Sequence, residues 1–409
     1  MVRPRNSWAP AAAIALTLGC GSALAQGQQP AAEVPDARSF FAKLWPIAQA
    51  RGVSRAVFDA ATTAFVPDAD VLLLATSQPE HAKPAGAYMT GLVTDAAIDA
   101  GRRKAAEHAE MLAAIEATYG VDRHILLALW RVESSYGAEK GSRGVVRSLA
   151  TLAMSDARRA PFWRGELIAA LRIIEDGAAT AEALVGSWAG ATGHTQFIPS
   201  TYRTHAVDFD RDGRRDIWNS VADALASTAN YLRASGWTAG ASWGFEVALP
   251  ARFDWSALGR SRTFAEWQAA GITLPRATPI APGNHALQLV VPAGASGPAF
   301  LVTPNYRALL RYNRSHAYAL TVGHLADRIA GAGPLAAAWP VDDRPLGRAE
   351  RQELQRLLAA RGHDTGGFDG IIGDQTRSAI AATQRGFAIA PDGHATLELL
   401  YRLRHDVAP

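Results

Sequence analysis

Three stretches carry residue types and spacings that could do chemistry. The first is Ile125-Leu-Leu-Ala-Leu-Trp-Arg-Val-Glu-Ser-Ser-Tyr-Gly137, centred on Glu133. Ile125, Leu129, Val132 and Tyr136 recur at spacings of four, three and four, which predicts an amphipathic helix. Glu133 falls on that apolar side and Arg131 points away, so a carboxyl is set where a helix normally buries hydrocarbon. Desolvation favours the protonated form of a carboxyl, which is what a general acid working near neutral pH needs. Taken alone, the position also fits a structural Glu that caps or salt-bridges within a core.

The second stretch, Ser187-Trp-Ala-Gly-Ala-Thr-Gly-His-Thr-Gln-Phe-Ile-Pro-Ser-Thr-Tyr202, is rich in small residues and contains no acid. Glycines there allow close backbone approach, which suits the floor of a groove or a loop with no ligand at all. The third, Asp208-Phe-Asp-Arg-Asp-Gly-Arg-Arg-Asp216, has acids at loop positions 1, 3, 5 and 9 and Gly213 at position 6. That spacing resembles the calcium loop of an EF-hand, with Asp208, Asp210, Asp212 and Asp216 as ligands. Position 12, normally a bidentate Glu, is Asn219, and Asp223 could substitute only in a longer loop. An Asp-rich turn that caps the next helix is the other reading.

The elements around these stretches are mostly helical. A helical segment from Thr94 to Tyr119 ends at Gly120, and Asp122 is a natural N-cap for the helix that carries Glu133. Another runs from Ala222 to Ser235 and stops at Gly236. The period then changes to that of short strands at Phe245–Leu249, Leu287–Val291 and Phe300–Val302, the last two separated by Pro- and Gly-rich turn residues, which predicts a small sheet or hairpin. Helix returns from Asn305 to Ile329, and the Gly-, Ala- and Pro-rich stretch Gly331–Asp343 marks a boundary. Beyond it, Leu354, Leu357 and Leu358 share one helix face, a second helix starts near Asp374 as N-cap, and a third runs from Thr396 to Leu403. The fold class is α+β, predominantly α, with a small β subdomain and a small three-helix C-terminal domain.

Length and composition set the frame. A chain of 409 residues exceeds one ordinary core, and 48% hydrophobic with 19% charged residues is a globular composition. Arg3 and Arg5, the apolar run Ala11–Leu18 and Ala23-Leu-Ala25 make residues 1–25 a signal peptide. Gly19-Cys20 also resembles a lipoprotein signal, so a lipid-anchored form is the alternative to a soluble exported one. Cys20 is the sole cysteine, which rules out an intrachain disulfide. Removing the leader lowers the formal charge from +3 to +1, which gives no case for nucleic acid.

Five motifs in order, Arg131-Val-Glu-Ser-Ser-Tyr-Gly137, Ala189-Gly-Ala-Thr-Gly-His-Thr-Gln-Phe-Ile-Pro-Ser200, Asp216-Ile-Trp-Asn219, Ala229-Asn-Tyr-Leu232 with Gly236-Trp237, and Arg311-Tyr-Asn313, resemble the membrane-bound lytic murein transglycosylase B family. Thr192 stands where many members have Met, read as a packing change. The tail resembles a type 1 peptidoglycan-binding domain through Leu354-Gln-Arg-Leu-Leu, Phe368-Asp-Gly-Ile-Ile-Gly-Asp-Gln-Thr376, Ala379-Ile and Gln384. The organisation that follows is a signal peptide (1–25), a linker (26–36), a catalytic domain (37–335), a second linker (336–345) and a peptidoglycan-binding domain (346–406).

The resemblance implies a lysozyme-like fold and non-hydrolytic cleavage between N-acetylmuramic acid and N-acetylglucosamine in the periplasm. It implies Glu133 as acid and then base, Ser187 and Gln196 beside it, and Tyr312 with Asn313 on the opposite wall. No cofactor is required, a structural Ca²⁺ is open, and the partner is the glycan strand. Most glycosidases need two carboxylates, and the groove motifs supply one. A single acid suffices if the substrate's 2-acetamido group is the nucleophile. A hydrolytic muramidase, using Glu139 or Glu166 as second acid, and a non-catalytic wall-binding protein are the alternatives.

Overall fold

The computed structural model describes residues 36–77, 83–275, 285–341 and 344–405. The signal peptide, Cys20 and nearly all of the first linker lie outside the described residues. Helices in chain order are α1 (Ala37–Ala50), α2 (Arg55–Thr62), α3 (Ala69–Ser77), α4 (Ala85–Leu92), α5 (Asp95–Glu107), α6 (Ala109–Tyr119), α7 (Arg123–Ser134), α8 (Val145–Ser155) and α9 (Ala160–Glu175). They continue with α10 (Pro199–His205), α11 (Val221–Ala234), α12 (Phe264–Ala269), α13 (Pro304–Tyr312), α14 (His316–Ile329), α15 (Arg348–Ala360), α16 (Asp374–Gly386) and α17 (Leu397–His405). Strands are β1 (Arg143–Gly144), β2 (Val185–Gly186), β3 (Gly244–Val247), β4 (Ser261–Arg262), β5 (Leu287–Val290) and β6 (Ala299–Val302). The protein is predominantly α with small sheets, as expected.

The described residues form two compact units: 36–77 with Ala100–Ser235, and 83–99 with the residues from Gly236 onward. In the first unit, α7 is buried on every side, from Ile125 to Trp130 and again from Val132 to Ser134. It is therefore a core helix rather than the amphipathic surface helix its spacing predicts. Helices α8 and α9 pack together, and α11 packs on α6 and α7. The helical stretch predicted from Thr94 to Tyr119 is broken at His108, whose backbone leaves helical geometry (φ −114°, ψ 25°). The His108 ring lies against Trp130, with ring centroids 5.8 Å apart. Gly120 closes α6 in the left-handed conformation, and Asp122 caps α7 by accepting from the His124 N–H at 2.7 Å.

The second unit holds an antiparallel sheet in the order β3-β6-β5-β4, with the predicted β5–β6 hairpin. One face covers a core of Phe245, Val247, Trp267, Leu287, Leu289 and Leu301. Sequence reading missed β4 and α12, although Thr263-Phe-Ala-Glu266 is a legible capping box and forms one. Helix does not run unbroken from Asn305 to Ile329: Asn313 is extended (φ −146°, ψ 124°), and Ser315 caps a new helix. In the tail, Gly373 rather than Asp374 is the N-cap of α16, and Leu354, Leu358, Ile380, Leu399, Leu400 and Leu403 make one small core.

The boundary stretch is held in place. The Glu246 carboxylate on β3 accepts from the Ala336 N–H at 2.8 Å and the Ala337 N–H at 2.8 Å. Further on, Asp392 accepts from the Ala295 N–H at 2.7 Å, which seats the tail against the turn between β5 and β6. Charge-assisted bonds of this kind contribute about 1.5–3 kcal/mol each at most. Glu246→Ala is expected to raise the rate of proteolytic cutting within 336–341 roughly tenfold with Tm little changed; peptide mapping of timed digests measures it.

Candidate active site

Glu133 lies in the last turn of α7 and is 4% exposed. Helix α7 stops one residue later because Ser135 (φ 51°), Tyr136 (φ 60°) and Gly137 (φ 86°) all adopt left-handed backbone. Tyr136 is therefore outside the helix, which corrects its expected place one turn after Glu133. Its N–H folds back to the Trp130 carbonyl at 3.2 Å, and its ring stands edge-on to the Trp130 indole at 5.4 Å. Burial pushes the Tyr136 phenol up to about 12. Ser134, fully buried, donates its Oγ–H to the His194 carbonyl at 2.5 Å and accepts from the Gly137 N–H at 2.9 Å.

That contact joins the end of α7 to the Gly-rich stretch. Ser187 is 8% exposed; its Oγ accepts from the Ala191 N–H at 3.1 Å and so closes a tight turn. Gln196, 5% exposed with φ 53°, donates from Nε2 to the carbonyls of Gly193 at 2.9 Å and Lys140 at 3.1 Å. Gly193 needs its glycine twice over. It has φ 78°, and a Cβ there would lie 2.7 Å from the Ile217 carbonyl oxygen. Thr192 is more than a packing change: its Oγ donates to the Val185 carbonyl and accepts from the Trp218 indole N–H at 2.7 Å. Glu133, Ser187 and Gln196 thus share one region of the first unit.

Sequence reasoning gave no role to His194, Lys140 or Trp218. His194 Nδ1 accepts from the Trp130 indole N–H at 3.0 Å, and burial, followed by the Lys140 charge, lowers the imidazole to about 4. It is neutral at pH 7, with its proton on Nε2. Lys140 donates to the Trp218 carbonyl at 2.6 Å. The signal was present as His194 and Thr192 inside a Gly-rich stretch, where a polar residue between glycines has to find a partner.

In the Asp loop, the structure brings together three of the four predicted ligands. Carboxylate oxygens of Asp208, Asp210 and Asp212 lie within 4.8 Å of one another, a hard-oxygen set that fits Ca²⁺. Asp216 is engaged elsewhere, accepting from the Trp218 N–H at 3.0 Å and the Asn219 N–H at 2.9 Å. Asp223 takes a different part from the ligand role open to it: fully buried, it accepts from the Phe209 N–H at 2.7 Å and the Asp216 N–H at 2.8 Å. Desolvation raises its pKa despite these bonds.

The two candidate second acids differ. Both oxygens of buried Glu166 are taken by Ser200, from its N–H at 2.9 Å and its Oγ–H at 2.7 Å, at the start of α10. Glu139 is exposed on the loop after α7. Tyr312 and Asn313 belong to the second unit, at the break between α13 and α14. Asn313 is 5% exposed, and its Oδ1 accepts from the Ser315 N–H at 3.0 Å.

Comparison with known proteins bears on the whole arrangement. A family model described as "Transglycosylase SLT domain" matches residues 36–327, and one described as "Putative peptidoglycan binding domain" matches residues 347–403. The chain is 35% identical over 216 residues to membrane-bound lytic murein transglycosylase B of Escherichia coli strain K12. That match covers 52% of this chain and 58% of the relative, so the chain spans little more than half of the curated protein it matches. It superposes with a TM-score of 0.86 and 47% identity on SltB3 from Pseudomonas aeruginosa in complex with NAG-anhNAM-pentapeptide, covering 90% of this chain and all of that one. Escherichia coli Slt35 in complex with calcium gives a TM-score of 0.60 at 28% identity, covering 73% of this chain and 94% of that one. The fold is therefore lysozyme-like, and with the transglycosylase model spanning well over half of its length, the chain belongs to the transglycosylase SLT domain family.

Proposed function

We propose that this protein is a lytic murein transglycosylase that cleaves the bond between N-acetylmuramic acid and N-acetylglucosamine and leaves 1,6-anhydro ends. The observation that carries the reading is the pairing of one buried carboxyl, Glu133, with a polar, acid-free loop, while Glu166 is committed to Ser200. The peptidoglycan fragment held by SltB3 supports the same substrate class.

In the first step the Glu133 carboxyl gives its proton to the leaving oxygen as the glycosidic bond breaks. The acetamido oxygen of muramic acid attacks its own C1, and an oxazolinium forms. Glu133, now ionised, takes the proton from the C6 hydroxyl; O6 attacks C1, the oxazolinium C–O bond breaks, and the acetamide is restored. Water enters neither step. Ser187 and Gln196 contact the sugar beside Glu133, and Tyr312 with Asn313 are further substrate-binding residues. Their groups are neutral, which suits a site that orients an acetamide without drawing the proton from Glu133. The tail, matched by a peptidoglycan-binding model, adds a second hold on the same polymer.

The leader at 1–25 places the protein in the periplasm, soluble if cleaved after Ala25 and lipid-anchored if processed at Cys20. Asp208, Asp210 and Asp212 would hold a structural Ca²⁺, whose charge would neutralise their cluster and stiffen the loop.

Purified peptidoglycan digested by the protein is expected to yield fragments one water lighter than hydrolytic products, read by mass spectrometry. Glu133→Gln is expected to lower kcat by at least about 10³-fold while pull-down of peptidoglycan is kept. Fragments carrying reducing ends would instead establish the muramidase, and no release by the unmodified chain would establish the binder. A hundredfold excess of Ca²⁺ over Kd is expected to raise Tm by about 5 °C, from about 2.7 kcal/mol of linkage. Asp210→Ala is expected to abolish that rise, and equal stabilisation of both proteins would reject the loop as a site.

A further inference from the structure

The turn that ends α7 stores strain. Ser135 and Tyr136 are non-glycine residues in left-handed backbone, at about 1–2 kcal/mol each, and such a conformation persists only where its surroundings over-determine it. Here one residue from a distant part of the chain supplies most of those surroundings. The His194 ring sits directly over Gly137, where a Cβ would collide with Cε1 and Nδ1. Its Nδ1 holds the Trp130 indole, and its carbonyl holds the Ser134 hydroxyl, which in turn accepts from the Gly137 N–H. Its own N–H donates to the Ile217 carbonyl at 3.0 Å, so His194 is itself anchored by a third segment of the chain.

Trp130 and Glu133 are three residues apart on one helix and therefore neighbours on its surface. Trp130 also carries the Tyr136 ring edge-on and has the Lys104 ammonium 5.7 Å from its ring centre. Ser134 is the residue after Glu133. The two bonds to His194 thus bracket Glu133, one on the preceding turn and one at the adjacent position.

We propose that His194 is a positioning residue for Glu133: it clamps Trp130 through its ring and Ser134 through its carbonyl, and so fixes the direction in which the last turn of α7 presents the carboxyl. The role deepens the reading of Glu133 as the acid and rests on it. Loss of the ring acceptor leaves the indole N–H buried without a partner and frees the strained turn to relax. A displacement of the order of 1 Å at a reacting group is enough to cost about 100-fold in rate.

The test uses the full chain on soluble glycan strands, with kcat, KM and Tm measured for His194→Leu, His194→Asn, Trp130→Phe and the double variant. His194→Leu is expected to lower kcat roughly 10- to 100-fold with KM within about twofold. His194→Asn, whose amide oxygen takes the place of Nδ1, is expected to recover kcat to within about fivefold of the unmodified chain. Trp130→Phe added to His194→Leu is expected to cost little more than His194→Leu alone, because both remove one bond. Phe58→Leu, a core change in α2, serves as a control for lost stability. Equal loss in the Leu and Asn variants, or a kcat for His194→Leu no lower than that of Phe58→Leu, would overturn the proposal. The infrared carboxyl band of Glu133, isolated by subtracting the Glu133→Gln spectrum, is read as well. It is expected to shift in His194→Leu and to return in His194→Asn. An unmodified chain that releases no anhydro product sinks the functional reading alone; an unmoved carboxyl band sinks the positioning role whatever the activity.

Discussion

A helix end that is buried must find partners for its last carbonyls and for whatever polar side chains it carries. The end of α7 faces that demand with Glu133 and Ser134 both below a tenth exposed. The answer comes from sixty residues away, through the His194 carbonyl and ring. The rest of the first unit follows from this joint. Glycine is required at 137 to admit the His194 ring and at 193 to let the Ile217 carbonyl approach, Thr192 ties the loop to Trp218, and Ile217 holds the His194 N–H. The Gly-rich loop is thus shaped by the need to satisfy one helix terminus.

The first unit contains other buried carboxyls besides Glu133, and each serves a visible structural use. Glu166 caps the start of α10 with both oxygens, and Asp223 gathers the backbone of the Asp loop. Desolvation raises the pKa of each, and hydrogen bonds from Ser200 or from the loop backbone oppose the rise. Charges of this sort are retained where backbone N–H groups would otherwise be orphaned. They are structural acids, committed to holding backbone and hydroxyl donors in place.

The parts of this fold that were legible in the sequence are those set by local chemistry. Gly120 and Asp122 punctuate α6 and α7, the β5–β6 hairpin follows from its turn residues, and the clustering of Asp208, Asp210 and Asp212 follows from loop spacing. What escaped was decided by tertiary contact. Tyr136 fits a helical period, yet two left-handed residues take it out of the helix and onto Trp130. His108 breaks a segment that propensity would continue, and Asn313 divides α13 from α14 where periodicity runs on. Asp216 has the right loop position but is drawn to Trp218 and Asn219 instead. His194 was visible as a residue, but its partners lie some sixty positions away, where no local pattern reaches.

The seam between the sheet and the tail has a consequence for modular exchange. Asp392 meets the Ala295 N–H, and Glu246 takes two N–H groups of the connecting stretch, so the junction is made of directional bonds at defined residues. A homologous tail grafted on by matching length alone would bring its own surface to that seam. Unless it carried a carboxylate at the place of Asp392, the recombinant would have the binding surface of one protein and the connecting stretch of another, with no shared registration. Shuffling of such tails in nature would therefore be expected to carry the seam along with the module.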